Sequence, residues 1–139
     1  MNKFSFILLL FLLAECNAEA PEPVQTLDGI KKAIIGEWNW EETIVHYRGQ
    51  EPVVKTPESE GKTKTYIFSK DGKLKILEDE TTIQETDYEI VLTETSGIKS
   101  ITLFRLNFSD NGGSMFLTFT KHKLNLSNGL GLESSFTRK

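Results

Sequence analysis

From Gly36 onward, apolar and polar residues alternate with a period of two; before Gly36 they do not. The segment "LDGIKKAIIG" carries Leu27, Ile30 and Ile34 at helical spacing with Gly36 as a stop, which predicts a short helix or helical turn placed to plug one end of the strand-rich region. Beyond it, Trp38 and Trp40 alternate with Glu37, Asn39 and Glu41, and the run continues to Tyr47 as a first strand. "KTKTYIFS" sets Tyr66 and Phe68 on one face, and Asp71-Gly72 turns the chain tightly into "KLKIL". "DYEIVL" places Tyr88, Ile90 and Leu92 on one side, and "IKSITLFRLNF" does the same with Phe104, Leu106 and Phe108 after a turn at Ser96-Gly97. "DNGG" is a hairpin signal before "SMFLTFT", where Met115, Leu117 and Phe119 alternate; "KLNLS" and "LGLESSFTR" close the chain, separated by Asn128-Gly129.

About eight short strands with regular turn signals, and no further helix, predict an all-β fold: an antiparallel up-and-down meander closed into a barrel, with a sandwich as the other arrangement. A Greek key needs a long crossover, and the only connection above about ten residues is "RGQEPVVKTPESEG", read here as a polar loop.

The N-terminal pattern is different in kind. "MNKFSFILLLFLLAEC" has one positive charge at Lys3 and an apolar stretch from Phe4 to Ala14, eleven residues, too short to span a bilayer core of about 30 Å as a helix. This is the layout of a secretory signal peptide over residues 1–15. "LAEC" (Leu13, Ala14, Glu15, Cys16) resembles the lipobox of bacterial lipoproteins, which implies cleavage before Cys16 and acylation of its thiol. Acyl chains contribute about 0.8 kcal/mol per buried CH2, enough when several are present to hold a soluble domain at a membrane. Glu15 departs from that family, where a small residue precedes the cysteine, and cleavage after Ala18 is the other route to an exported chain. Residues 16–26, "CNAEAPEPVQT", read as an extended tether, and 27–139 as the folded domain.

Composition narrows the function classes. A chain of 139 residues, 38% hydrophobic and 26% charged, supports one globular domain with a modest core. Its net charge of −4 is scattered, with no basic face for nucleic acid. Cys16 is the only cysteine, so no internal disulfide is available.

Gly36-Glu37-Trp38 at the start of the first strand, after a short helical turn, resembles the Gly-x-Trp signature of the lipocalins within the calycin barrels. The resemblance implies that Trp38 packs across the closed end and that Arg138, in "SFTRK", lies over its ring. It also implies an apolar ligand inside the barrel. A narrower likeness covers most of the mature chain: "IIGEWNWEETI", "TPESEGKTKTYIFSKDGKLKI" and "HKLNLSNGLGLESSFTRK" look like small lipocalin-like lipoproteins of Bacteroidetes-type bacteria, whose biochemical role is largely undefined.

Little chemistry competes with that reading. His46 and His122 have no Cys or carboxylate at ligand spacing and read as surface or rim residues; "EDE" at 78 to 80 and Asp110-Asn111 read as hairpin turns, not calcium loops. No serine stands in a G-x-S-x-G elbow and no glycine loop cradles phosphate, so neither catalysis nor a cofactor or metal is expected. Trp40, Tyr66, Phe68, Tyr88, Phe104 and Phe119 are the candidates to line a cavity, or alternatively to fill the barrel, since an eight-stranded barrel does either. Two functions are consistent with this. One is a monomeric, membrane-anchored binder of a small hydrophobic ligand at the cell envelope, periplasmic or surface-facing. The other is a solid barrel acting on an envelope protein, or inhibiting a hydrolase, through its loops, with "RGQEPVVKTPESEG" the best candidate for contacts. "TSGIKS" departs from the loop motif of the lysozyme-inhibiting lipoproteins.

Overall fold

The structure is a computed structural model that describes residues 26–95, 101–110, 112–120 and 122–139. The expected signal peptide, Cys16, nearly all of the expected tether, the turn expected at Ser96-Gly97 and Asn111 lie outside the described residues.

A short helix, α1 (Leu27–Ile34), starts the domain. Thr26 caps it by accepting a hydrogen bond from the Gly29 N–H at 3.1 Å. Asp28 in the first turn and Lys31 and Lys32 in the last complement the helix dipole, and Ile30 and Ile34 are its buried face.

Eight strands then close a barrel: β1 (Gly36–Val45), β3 (Lys64–Phe68), β4 (Lys73–Glu78), β5 (Thr81–Thr95), β6 (Ile101–Phe108), β7 (Ser114–Thr120), β8 (Lys123–Ser127) and β9 (Leu132–Arg138), each antiparallel to the next, with β1 paired to β9. The alternation seen in the sequence sets the register, because slipping one residue would turn every inward side chain outward. The predicted eight-stranded up-and-down barrel is therefore the observed fold. An extra strand, β2 (Val53–Lys55), pairs with the end of β1. The ring of strands and its core are complete within residues 26–139, which makes this segment a folding unit.

Two parts of the fold exceed the sequence reading. The "RGQEPVVKTPESEG" connection is not all loop: it holds β2 and a one-turn helix, α2 (Pro57–Glu60), started by a capping box between Thr56 and Ser59. Three strand residues and four helical ones are too few to show a period, so the pattern hid both. In addition β5 begins at Thr81, not at Asp87. Its first half presents threonine and glutamine inward while Ile83 stands outside, 56% exposed, which inverts the usual alternation. The Asp79 and Glu80 turn before it has both residues at positive φ, 47° and 66°, the conformation of a two-residue hairpin turn. Asp79 stabilises it by accepting from the Thr63 N–H and hydroxyl at 2.8 and 3.1 Å.

At the helix end the barrel is shut. The Trp38 indole N–H donates to the Ile34 carbonyl at 2.7 Å, and its ring lies 5.6 Å from Phe119. Arg138, the cross-strand partner of Trp38, sets its guanidinium 4.4 Å over the indole. The same guanidinium donates from Nη1 to the Ile35 carbonyl at 3.0 Å and from Nη2 to the Ala33 carbonyl, so it also caps the C-terminus of α1. Gly36 makes room for it: its φ is +133°, and a Cβ there would sit 2.7 Å from Arg138 Nη1.

Arg138→Ala is expected to cost about 1–3 kcal/mol of unfolding free energy, from the cation–π contact and the two charged hydrogen bonds. Gly36→Ala is expected to cost about 2–4 kcal/mol, because it adds backbone strain to eviction of the guanidinium. Denaturant unfolding of the double variant should then fall well short of the sum, whereas strict additivity would show that the two positions are not coupled.

Candidate functional site

The inward side chains divide the barrel into a packed part and an open part. Toward α1, Phe68, Leu74, Leu106, Leu117, Leu124 and Phe136 are each 0–2% exposed and leave no room for a ligand. Phe68 meets Tyr88 edge-on at 5.1 Å, and the Tyr88 hydroxyl donates to the Ser69 carbonyl at 3.0 Å. At the opposite end the inward residues of β1 and β9 shrink to Thr43 and Ser134, and a cavity of about 500 Å3 opens above Trp40, Tyr66 and Phe136. Tyr66 and Phe136 pack with their rings tilted by 47° and their centroids 4.6 Å apart, and form the floor. A volume of this order accommodates a small organic molecule.

The cavity wall on the β1 side depends on a local irregularity. A bulge between Trp40 and Glu42 shifts the β1–β9 register, which turns Thr43 to the same side as Trp40. The Trp40 indole N–H donates to the Thr43 hydroxyl at 2.9 Å, and that hydroxyl is 2.8 Å from the Ser134 hydroxyl. Pairing of β1 with β3 ends at Asn39–Thr65 and pairing with β2 begins at Thr43–Lys55. Trp40 stands at this break in the pairing, 7% exposed, with Lys64 Nζ 5.5 Å from its ring centre.

Charge gathers at this rim. Lys55, Lys62, Lys64 and Glu60 all line the cavity. Lys62 lies 3.0 Å and Lys64 4.0 Å from one Glu78 carboxylate oxygen, and Lys55 lies 3.7 Å from Glu60. The hydrogen bond to Glu78, and then its charge, hold the Lys62 ammonium above the usual lysine range. Burial pushes the Tyr66 phenol up, keeping it neutral on the cavity floor.

Of the six aromatic residues read as lining or filling, Trp40 and Tyr66 border the cavity, while Phe68, Tyr88, Phe104 and Phe119 pack in the closed part of the barrel. Gly36, Trp38 and Arg138 form the clasp at the shut end, remote from it. The sequence reading missed Thr43, Ser134 and the three lysines, since polar residues at inward positions look like breaks in the alternation. It also treated the long connection as separate from the barrel interior. In the fold that connection supplies Lys55 and Glu60 to the cavity wall, so its deletion would disturb a ligand site and a loop surface together.

His46 and His122 are exposed, and among the described residues no group of three or more His, Cys, Asp or Glu converges. No described helix is long and apolar enough to cross a membrane. No known protein family, curated protein or solved structure matches the chain.

The raised Tyr66 phenol has a pH consequence. The folded state retains a proton that the unfolded chain releases from about pH 10, the ordinary phenol value, so stability is complete below that pH and falls above it. Tyr88 is shifted in the same direction by partial burial. Denaturant unfolding between pH 9 and pH 11 should therefore show a decline that Tyr66→Phe makes shallower; an unchanged slope would mean that the phenol does not titrate with folding.

Proposed function

We propose that this protein is an exported barrel, held at the cell envelope through an acylated Cys16, that binds a small apolar ligand in the mouth of the barrel and catalyses no reaction. The observation that carries the reading is the change in filling along the barrel axis: closed by aromatic packing at the α1 end, and open over Trp40, Tyr66 and Phe136 at the other. A barrel that serves only as a solid scaffold has no need of small side chains at Thr43 and Ser134, where a leucine or phenylalanine would fill the space. The clasp of Gly36, Trp38 and Arg138 agrees with the lipocalin-like resemblance and supports it as the family reading. Thr26, where the tether joins the barrel, lies beside the shut end and opposite the mouth.

One observation favours a second reading, docking of an envelope protein on the mouth loops. Tyr47, Val53, Val54 and Leu130 are exposed around the end of β1, on β2 and in the β8–β9 connection, with Leu130 89% exposed.

Native mass spectrometry of the barrel, purified gently from its own host, is expected to show an added mass lost on mild activation, and Met115→Trp, which fills the cavity, is expected to remove it. A bare polypeptide mass for the unaltered barrel would move the assignment to the loop-docking reading. Intact mass of the envelope protein should correspond to a chain beginning at Cys16 with added acyl groups; a chain beginning at Glu19 without them would reject the anchor.

A further inference from the structure

The chemistry of the rim specifies more than an apolar ligand. Along β9, β1, β2 and β3 the cavity wall presents, in order, Ser134, Thr43, Lys55, Lys64 and the neighbouring Lys62. These are all hydrogen-bond donors, on one side of an aromatic floor.

Two of their properties leave capacity unused. The indole of Trp40 and the hydroxyls of Thr43 and Ser134 supply three donor hydrogens, but the chain Trp40–Thr43–Ser134 consumes only two, whichever hydroxyl donates to the other. One O–H of the Thr43–Ser134 pair, both of which line the cavity, is left over from this chain. The charges behave likewise: Lys55, Lys62 and Lys64 face the carboxylates of Glu60 and Glu78, and Lys62 and Lys64 share a single oxygen of Glu78. Asp79 adds a further negative charge that acts on Lys62, so the ammonium held most loosely is Lys64, at 4.0 Å from the shared Glu78 oxygen and 5.5 Å from the centre of the Trp40 ring.

We infer that the ligand of this cavity is an amphiphilic organic anion: an apolar body resting on Tyr66 and Phe136, and a single carboxylate-like or sulfonate-like head taken up by Lys62, Lys64 and the free hydroxyl of the Thr43–Ser134 pair. This rests on the reading of the mouth as a ligand site and adds the head-group chemistry. An anion at this place satisfies the spare hydroxyl and completes the half-shared lysine pair, and the low polarity of the aromatic floor strengthens both interactions. A neutral ligand of the same shape leaves them to water.

The test uses two dyes that share one aromatic framework, anilinonaphthalene sulfonate and neutral phenylnaphthylamine, titrated by fluorescence into the barrel of residues 26–139. The sulfonate is expected to bind at least about tenfold more tightly, with an advantage that shrinks as salt is raised. Replacing Lys62 and Lys64 together by Gln should bring the affinity ratio of the two dyes to about one. Glu78→Gln should move it the other way, strengthening sulfonate binding severalfold by releasing both ammonium groups, a gain that partial unfolding cannot imitate at an unchanged melting temperature. Equal binding of the two dyes, or a Glu78→Gln variant with no gain, would overturn the anionic head while leaving the cavity reading intact. Binding of neither dye would remove the cavity reading as well.

Discussion

The guanidinium of Arg138 ties three parts of the chain together at one point. It covers the Trp38 ring, caps the carbonyls at the end of α1, and sits on the strand that must meet β1 for the barrel to close. A meander of hairpins leaves two free edges, and its first and last strands have no covalent reason to meet. Here the meeting is enforced by an interaction that only the closed form provides. The α1 plug is fixed by the same group, so ring closure and end closure form one event. Gly36 takes part by having no side chain, because a Cβ there would crowd Nη1 at 2.7 Å.

With one end fixed in this way, the contents of the barrel are set by side-chain size along each strand. On β1 the inward sequence runs from Trp38 and Trp40 to Thr43 and Val45, and on β9 from Phe136 to Ser134 and Leu132. Large residues stack near the plug and small ones stand near the rim. The transition falls at the β1 bulge, where one extra residue keeps Thr43 inward and lets Trp40 reach its hydroxyl. If the same residues ran through in regular alternation with no bulge, Glu42 would face inward in place of Thr43. The bulge therefore decides both where packing ends and which polar atoms line the opening.

The fold was legible in the sequence wherever a strand shows its alternation over five or more residues, as in "SMFLTFT" or "ITLFRLNF". Turn chemistry supplied the rest, with Asp71-Gly72 at φ +81° for the glycine and Gly129 at +71°. The start of β5 was hidden because Gln84 and Thr86 are polar residues on the inner face, and β2 and α2 because they are shorter than any period. The candidate site was legible only in its floor. Trp40 and Tyr66 were found because aromatic residues at inward positions announce a core, whereas Lys55 comes from a stretch with the composition of an ordinary loop, and Lys62 and Lys64, though on the face of Tyr66 in "KTKTYIFS", are charged residues that do not read as part of an interior. Their convergence arises from β2 and β3 occupying one side of β1 in succession, a pairing that no local pattern encodes.

The division of β5 between two neighbours bears on how the barrel assembles. Its first half, up to Asp87, pairs only with β4, and its second half, from Tyr88, pairs only with β6. The strand is thus a long rail shared by two hairpins, each of which can form from residues close together in the chain, at low cost in loop entropy. The β1–β9 seam is the exception, since it joins positions as far apart as Trp38 and Arg138. Like the β8–β9 pairing, it cannot form until β9 has been synthesised. A chain interrupted before β9 holds hairpins but no ring, no clasped plug and no rim complete with Ser134. Under the proposed export, in which the chain crosses a membrane before it folds, late closure is an advantage: no ring can form until β9 arrives.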